Sequence, residues 1–418
     1  MQVAVMGFGT VGSGVVELIL KNKKSIEERC GQKSLDVKHI LDIRDFSSHQ
    51  LANLFTKDFN DILNDKDVEI VVETMGGLNP AFDFVSKCLE AGKSVVTSNK
   101  ELVAAKGYEL LELAKKNNVN FLFEASVGGG IPIIRPINQC LAANEFLEVA
   151  GILNGTTNFI LTKMIDDGMD FDEALKIAQA NGYAERDPSA DILGHDAARK
   201  ICILASLCFG KHVYPDEVQT EGITNIASED VEYAKVWGGV IKLIGRAKKL
   251  SSGKISATVG PCLIKNGCQL ASVSDVFNAI LVRGDAVGDT VFYGRGAGKF
   301  PTASAVVADV IDYQLYKTGI KNESAVYAVY TFCRKLGQTA ADYGGLVLLG
   351  KIGYEAETMA NAGFVPGISE GILTVCTLIP AITYTLVFIL YKFFYPLTKE
   401  KLEPVYEYVR KNNESLGA

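Results

Sequence analysis

The first twenty residues constrain the fold most, because they join a short apolar strand to an amphipathic helix through a glycine turn. The turn places Gly7, Gly9 and Gly12 in the spacing G-x-G-x-x-G. Glycine at these positions permits a tight turn, approach of a pyrophosphate to the backbone and close packing of the helix. The N-terminus of the helix offers free N–H groups to phosphates. This pattern predicts a nucleotide-binding turn; the alternative is an ordinary tight turn.

Strand-like and helix-like segments keep alternating as far as residue 130. The strand-like segments read VKHILDIRD, VEIVVETMGG, KSVVTSNK and VNFLFEASVGGG. Such alternation predicts a doubly wound α/β domain with a parallel sheet, in which ligands bind beyond the carboxyl ends of the strands. Those ends fall at residues 7–12, 42–44, 74–77, 97–100 and 124–130.

The end of the second strand bears on the choice of cofactor. An acidic residue there holds the ribose 2′-hydroxyl of NAD, whereas an arginine accommodates the 2′-phosphate of NADP. The sequence offers both, as Asp42 and Arg44, and Lys57 follows. Arg44 and Lys57 can equally be ordinary surface charges. We expect NADP, with NAD as the alternative.

The composition excludes several classes of protein. The 418 residues are 48% hydrophobic and 22% charged, which is typical of a globular chain of two or three domains. A net charge of -7 without a basic stripe argues against a nucleic-acid partner. The nine cysteines form no C-x-x-C pair, which argues against disulfides and zinc. The chain opens directly on a strand-like run, so we expect no signal peptide and a cytoplasmic location.

Two further segments carry polar groups at strand ends. Lys100 follows the strand at residues 94–97 and is expected either to contact a substrate or nicotinamide, or only to cap the next helix. The segment EASVGGGIPIIRP holds three consecutive glycines, so it can offer main-chain carbonyls to a hard cation or serve as a hinge between domains.

The segment GYAERDPSADILGHDAARK, residues 182–200, concentrates charge on a bent stretch that becomes a helix. Asp196 and Lys200 are four residues apart and therefore project from one helix face. Such a pair is either an exposed ion pair of little consequence or a lysine in a cleft beside a carboxylate. A lysine in a cleft can transfer a proton to or from a substrate oxygen.

Residues 178–200 read A-x3-G-Y-A-x2-D-P-x2-D-I-x-G-x-D-x3-K, which resembles the signature of homoserine dehydrogenases. The segments GFGTVGSGVVE, TSNK, EASVGGGIPII, GILNGTTNFIL and GRGAGKFPTASAVVAD agree with that family, and the resemblance covers about residues 1–312. It implies NAD(P)-dependent interconversion of L-homoserine and L-aspartate 4-semialdehyde, in the biosynthesis of threonine, methionine and isoleucine. Another reductase of the same architecture is the alternative.

The resemblance also implies roles for individual residues. Lys200 is implied as the general acid and base, oriented by Asp196, with Lys100 bridging cofactor and substrate. Substrate contacts are implied for Glu185, Tyr183, Thr156 and Asp191, of which Glu185 holds the ammonium. The residues implied to bind cofactor are Gly7, Gly9, Thr10, Val11, Gly12, Arg44, Lys57, Thr97, Ser98, Lys100, Gly182 and Gly298. A sodium-type cation is implied at Glu124, Val127, Gly129 and Ile131.

The implied architecture has two catalytic domains. A Rossmann-type NAD(P)-binding domain spans residues 1–135, with a return helix at residues 301–315. An α+β domain at residues 136–300 binds substrate and forms a homodimer.

The resemblance ends near residue 312, where the family usually continues into an ACT regulatory domain that we do not expect in this chain. Residues 371–391 form a run of 21 residues without a charge, long enough to span a bilayer; the alternative is a buried core helix. Residues 324–350 form a poorer candidate span. The tail, residues 316–418, resembles the last two membrane helices of glycoside–pentoside–hexuronide sugar–cation symporters. We therefore expect a fusion carrying a membrane hairpin; the alternative is a non-functional chimera.

Overall fold

The computed structural model describes residues 1–29 and 34–318, with residues 368, 371–373 and 377. The chain divides into two compact units, Met1–Ile320 and Lys321–Ala418. The two predicted membrane spans lie outside the described residues, apart from residues 371–373 and 377. Within the described residues, no helix has both the length and the apolar character needed to cross a bilayer.

The first half of the larger unit alternates strands with helices, as the sequence predicts. Its elements are β1 (Gln2–Met6), α1 (Thr10–Lys21), α2 (Lys23–Arg29), β2 (Asp36–Leu41), β3 (Phe55–Thr56), α3 (Phe59–Leu63), β4 (Val68–Glu73), α4 (Ala81–Glu90), β5 (Ser94–Thr97), α5 (Lys100–Lys116) and β6 (Phe121–Leu122). The strands form one parallel sheet in the order β3-β2-β1-β4-β5-β6. This strand order confirms the prediction of a Rossmann-type sheet.

The segment after residue 118 differs from the expected long strand. Only Phe121 and Leu122 pair with β5, and a 3₁₀ turn at Glu124–Ser126 follows at once. The carboxylate of Glu124 accepts hydrogen bonds from three backbone N–H groups further along the chain, which curls the segment away from the sheet.

The second half contains a mixed sheet with helices. Its elements are β7 (Phe146–Ile152), α6 (Gly155–Asp166), α7 (Phe171–Ala180), α8 (Ser189–Ile192), α9 (His195–Phe209), β8 (Gln219–Thr220), α10 (Ser228–Trp237), β9 (Gly239–Lys249), β10 (Ile255–Lys265), β11 (Phe277–Gly284), β12 (Gly288–Arg295) and α11 (Lys299–Thr318). The strand order is β12-β11-β7-β9-β10-β8, and all neighbours are antiparallel except β10 and β8.

Strand β1 shows how the sequence pattern builds the core on both faces of the first sheet. Val3 and Val5 pack into a cluster formed with α1 and α11, whereas Ala4 and Met6 pack into the large cluster on the other face. A strand buried on both faces reads as a continuous apolar run, which is what residues 3–6 are. Helix α11 therefore brings the end of the unit back against the first sheet.

The two faces of the second sheet are covered differently. Val149 of β7 and Ala247 of β9 belong to the large core together with residues of α6 and α9. Ala150, Ile152 and Ile244, which point the other way, form only a small cluster closed by Leu270 and Val273.

Candidate active site

The glycine turn between β1 and α1 has two different steric requirements. Gly7 has a left-handed backbone with φ 92°. A Cβ on Gly12 would lie 1.9 Å from the carbonyl oxygen of Gly7, so only glycine lets α1 approach the strand this closely. A Cβ on Gly9 would meet nothing within 4 Å, which leaves open space beside the N-terminus of α1.

A cavity of about 340 Å³ lies beyond the carboxyl ends of the first sheet. It brings together residues that are far apart in the sequence, from the start of α1, the end of β5, the loop after β6, helix α9 and the loop before α11. The predicted site residues that line it are Thr10, Val11, Ser98, Lys100, Val127, Lys200 and Gly298. The cavity is also lined by Thr74, Gly76 and Asn99, which lie at strand ends where the sequence predicts ligand binding, and by Ala297 and Thr302, which it did not single out.

The other predicted cofactor residues do not line this cavity. Asp42 accepts a hydrogen bond of 2.8 Å from the backbone N–H of Phe8. It also accepts bidentate hydrogen bonds from Nε and Nη2 of Arg44. Arg44 and Lys57 are exposed. Thr97 is fully buried, and its hydroxyl donates to Glu73 and accepts from the backbone N–H of Asn99.

The acidic and basic side chains predicted to carry the chemistry converge on Asp196. This residue lies in the first turn of α9 and is 2% exposed. Its Oδ2 is 2.8 Å from the Nζ of Lys200, one turn further along, and its Oδ1 contacts the Nζ of Lys100 at the start of α5. Lys200 also donates to the carbonyl oxygen of Leu153 over 2.7 Å. The pair is therefore buried, not an exposed surface ion pair.

The cluster shifts the proton affinities of its members. Burial lowers the pKa of Lys200, against the opposing effect of the Asp196 carboxylate. Burial alone would raise the pKa of Asp196, but the two lysine ammoniums outweigh it and hold that pKa well below its usual range. Asp196 is thus a permanent carboxylate, and Lys200 gives up its proton more readily than a free lysine does.

Asn154 is a member of this cluster that the sequence did not single out as a site residue. It follows β7, and its Nδ2 donates to Asp191 over 2.7 Å and to Asp196 over 3.0 Å. Burial, followed by the Asp196 charge, raises the pKa of Asp191. The polar loop at residues 154–158 was a visible signal, but a polar residue before a helix is more often only a cap.

The remaining predicted substrate residues form a separate group around the turn after α7. The hydroxyl of Thr156 donates to the carbonyl oxygen of Tyr183 over 2.6 Å, and the Tyr183 ring contacts the Phe159 ring edge-on. Glu185 is exposed, and its carboxylate has no partner within the described part of the chain. Gly182 is exposed in a left-handed conformation.

The predicted cation ligands lie in the loop after β6. Glu124 is 3% exposed, and its carboxylate accepts from the N–H groups of Ile133, Ile134 and Arg135 over 2.6 to 2.8 Å. Three donors leave one of about four lone-pair positions on the carboxylate unused. The side chain therefore mainly fixes the loop that contains Val127 and Gly129.

Comparison with known proteins gives the family. The homoserine dehydrogenase family matches residues 132–311, and the homoserine dehydrogenase NAD-binding domain matches residues 7–124. A homoserine dehydrogenase of Synechocystis sp. is 46% identical over 319 residues, covering 75% of this chain and 73% of the relative. The chain belongs to the homoserine dehydrogenase family. It is an oxidoreductase of L-homoserine and contains a nicotinamide-cofactor domain. The alternative of a different reductase with the same architecture is therefore wrong.

Other relatives and solved structures agree. A Bacillus subtilis homoserine dehydrogenase is 42% identical over 315 residues, covering 74% of this chain and 72% of the relative. The crystal structure of a Thiobacillus denitrificans homoserine dehydrogenase matches with a TM-score of 0.73 at 43% identity, covering 76% and 74% of the two chains. A hyperthermophilic archaeal homoserine dehydrogenase in complex with NADPH matches with a TM-score of 0.65 at 30% identity, covering 75% and 98%.

The tail matches a different family. The MFS/sugar transport protein family matches residues 287–399, which overlaps the end of the dehydrogenase match. This supports the predicted resemblance to sugar symporters.

Proposed function

We propose that Lys200 transfers the proton in the interconversion of L-homoserine and L-aspartate 4-semialdehyde. The observation that carries this proposal is the buried contact of 2.8 Å between Lys200 and Asp196 beside the cavity that the start of α1 also lines. When bound, the nicotinamide accepts hydride from the substrate alcohol or returns it to the aldehyde. The hydroxyl proton must leave at the same time, and a positioned lysine can accept it.

Lys100 and Asp196 support that proton transfer. The Asp196 carboxylate orients Lys200, while the Lys100 ammonium, itself half-exposed at the cavity, shares the same carboxylate. In the reducing direction Lys200 enters as the ammonium and protonates the oxygen as hydride arrives. In the oxidising direction the neutral amine accepts the hydroxyl proton, which the burial-lowered pKa favours.

The acidic residues of the second domain suit the charge of the substrate. L-Homoserine carries an ammonium, and Glu185 is an exposed carboxylate without a partner among the described residues. Asp191 is connected to the proton-transfer pair by Asn154, which donates hydrogen bonds to both Asp191 and Asp196. We assign Glu185 to the ammonium, with Tyr183, Thr156 and Asp191 around the substrate.

NADP is the proposed cofactor. Asp42, the residue that would hold a ribose hydroxyl of NAD, is already bound by Arg44 and by the N–H of Phe8. Arg44 is exposed, and its Nη1 does not take part in the contact with Asp42. Lys57, which follows β3, is also exposed. The NADPH complex of the archaeal relative supports the same choice.

The choice of NADP is tested with Arg44→Ala. We expect the KM for NADP to rise about tenfold while the KM for NAD changes less than threefold, because a charged contact to the 2′-phosphate is lost. Equal changes for both cofactors would refute the role of Arg44 in this choice.

A monovalent cation, a homodimer and a membrane tail complete the proposal. The cation is held by the loop carbonyls of Val127, Gly129 and Ile131, with Glu124 fixing the loop. The second copy covers the face of the second sheet that carries the small cluster of Ala150 and Ile244. The tail forms a hairpin, which is supported by the transporter match and the uncharged residues 371–391.

The experiment for the main proposal is a spectrophotometric assay of the whole chain. L-Homoserine with NADP should give rising absorbance of the reduced cofactor, and L-aspartate 4-semialdehyde with NADPH should give falling absorbance. Lys200→Arg keeps the positive charge, but a guanidinium neither gives up nor takes up a proton at working pH. This variant should therefore be inactive in both directions. Activity of that variant close to the original would refute the role of Lys200. Sedimentation of the full chain with membranes tests the tail.

A further inference from the structure

Asn154 has its amide orientation fixed by its neighbours. The residue is 5% exposed and caps α6: its Oδ1 accepts from the backbone N–H of Thr157 over 2.9 Å and from the Thr157 hydroxyl over 3.1 Å. Because two donors face the oxygen, the NH₂ group must point the other way. On that side lie the carboxylates of Asp191 and Asp196.

The single NH₂ group of Asn154 joins two like charges. Its Nδ2 is 2.7 Å from Asp191 Oδ1 and 3.0 Å from Asp196 Oδ2, the oxygen that also contacts Lys200. Two carboxylates held this close repel each other, and a neutral group with two N–H donors can satisfy both. A cation at the same place would instead compete with Lys200 for Asp196.

The adjacent backbone ties the same loop to the lysine. Lys200 donates to the carbonyl oxygen of Leu153, the residue directly before Asn154. The end of β7 therefore holds the proton-transfer pair through two neighbouring residues, once through a main-chain oxygen and once through a side-chain amide.

We infer that Asn154 is a positioning residue of the reaction: its amide holds Asp196 in the orientation that aligns Lys200 and keeps Asp191 in place beside it. The inference rests on the proposed role of Lys200. The ionisable groups that face this amide are Asp191 and Asp196; Lys200 contacts the same Oδ2 of Asp196 as the amide does, and Lys100 contacts its Oδ1.

Two variants separate this role from helix capping. Asn154→Ser and Asn154→Asp both keep an oxygen that caps a helix well, and both lose the NH₂ group. Asp170→Ser is the matched control, because Asp170 caps α7 through the N–H of Glu173 and is exposed. We expect Asn154→Ser to lower kcat about 10- to 100-fold with the KM for L-homoserine within threefold, and the control to keep both.

The pH profile gives a readout that capping would not move. Asn154→Asp places a third carboxylate near Lys200, which favours the ammonium and should raise the apparent pKa of kcat/KM for L-homoserine oxidation by about one unit. If both variants keep kcat within twofold and the original profile, Asn154 is only a cap. If kcat falls only in proportion to a loss of folded protein seen by circular dichroism, the inference is likewise overturned.

A measurement without turnover separates this inference from the proposed function. If the original chain proves inactive, the proposed function fails, but the amide contact remains testable through stability. Asn154 favours the ionised form of Asp191, so the destabilisation caused by Asn154→Ser should grow as pH rises from about 4 to about 7. A destabilisation that is the same at both pH values would overturn the contact.

Discussion

Lys200 and Lys242 are two buried lysines in different surroundings. Lys200 is 6% exposed and donates to the carbonyl oxygen of Leu153 over 2.7 Å; Lys242 of β9 is 2% exposed and donates to the carbonyl oxygen of Val273 over 2.7 Å. Their second partners differ. Lys200 contacts the carboxylate of Asp196, whereas Lys242 contacts the amide oxygen of Asn158 over 3.1 Å.

Burial lowers the pKa of both lysines, that of Lys242 to about 8, so a lowered pKa alone does not distinguish a reactive lysine from a structural one. The distinction comes from what surrounds the ammonium. Lys200 lines a cavity and shares a carboxylate with a second lysine, so a proton and a substrate can reach it. Lys242 ties α6 to the loop that begins at Val273 through neutral oxygens.

The largest difference between the two sites is expected on removing Lys200. Lys200→Ala should lower kcat about 10²- to 10⁴-fold in both directions, because general acid–base catalysis is lost. The affinity for NADP, measured by fluorescence titration, should change less than threefold. Lys163→Ala, which removes a partly exposed lysine of α6 that pairs with Asp167, is the control and should keep kcat. A Lys200→Ala enzyme with normal turnover would remove the distinction between the two lysines.

The pH dependence of turnover should be set by the pKa of Lys200 and not by the pKa of Lys242. The neutral amine accepts the proton in L-homoserine oxidation, so kcat/KM should rise about tenfold per pH unit and level off above the pKa of Lys200. Because burial lowers that pKa, the levelling should occur below pH 10.5. Lys242→Met should leave this profile unchanged. A profile that moves in Lys242→Met would show that the two lysines are coupled.

Glu185→Gln tests whether a second carboxylate, besides that of Asp196, takes part in the site by binding the substrate ammonium. We expect the KM for L-homoserine to rise about tenfold with kcat nearly unchanged, since a charged partner of the ammonium becomes neutral. Steady-state kinetics at saturating NADP measure both values. Glu173→Gln, an exposed change on α7, is the control. An unchanged KM would take Glu185 out of the substrate site.

The smallest effect concerns the stability role of Lys242. Between its folded pKa of about 8 and the unfolded value of 10.5, the unfolded chain binds more protons than the folded one. The free energy of unfolding should therefore rise with pH, by a contribution of about 2 kcal/mol between pH 8 and pH 10. Lys242→Met should lack this contribution in urea titrations at pH 8 and pH 10. Identical pH dependence in both proteins would mean that Lys242 keeps its ordinary pKa.

Much of the first sheet and part of the site could be predicted from local patterns. The glycine spacing at residues 7–12 and the alternating segments were sufficient to predict the Rossmann-type sheet. The spacing of Asp196 and Lys200 placed both on one face of a helix. Spacing alone did not distinguish a surface ion pair from a proton-transfer pair. The resemblance to homoserine dehydrogenases supplied that distinction.

Other features depended on contacts that no local pattern encodes. The prediction of a long strand after residue 118 was wrong. The Glu124 carboxylate accepts hydrogen bonds from three N–H groups further along the chain, and these contacts turn the segment away from the sheet. Lys242 lies in a strand that mixes apolar and charged residues, and its buried ammonium is bound by Asn158 of α6 and by the carbonyl oxygen of Val273, both far away in the sequence. The two-carboxylate contact of Asn154 joins three separate elements.

The sequence by itself determined the glycine turn, the parallel sheet and the placing of Asp196 and Lys200 on one helix face, because each follows from residue types and spacings within short segments of the chain. Only the tertiary structure decided that Lys100 shares Asp196 and that Asn154 joins Asp191 to Asp196. These contacts change the proton affinities of the site, since burial and nearby charge act through space and not along the chain.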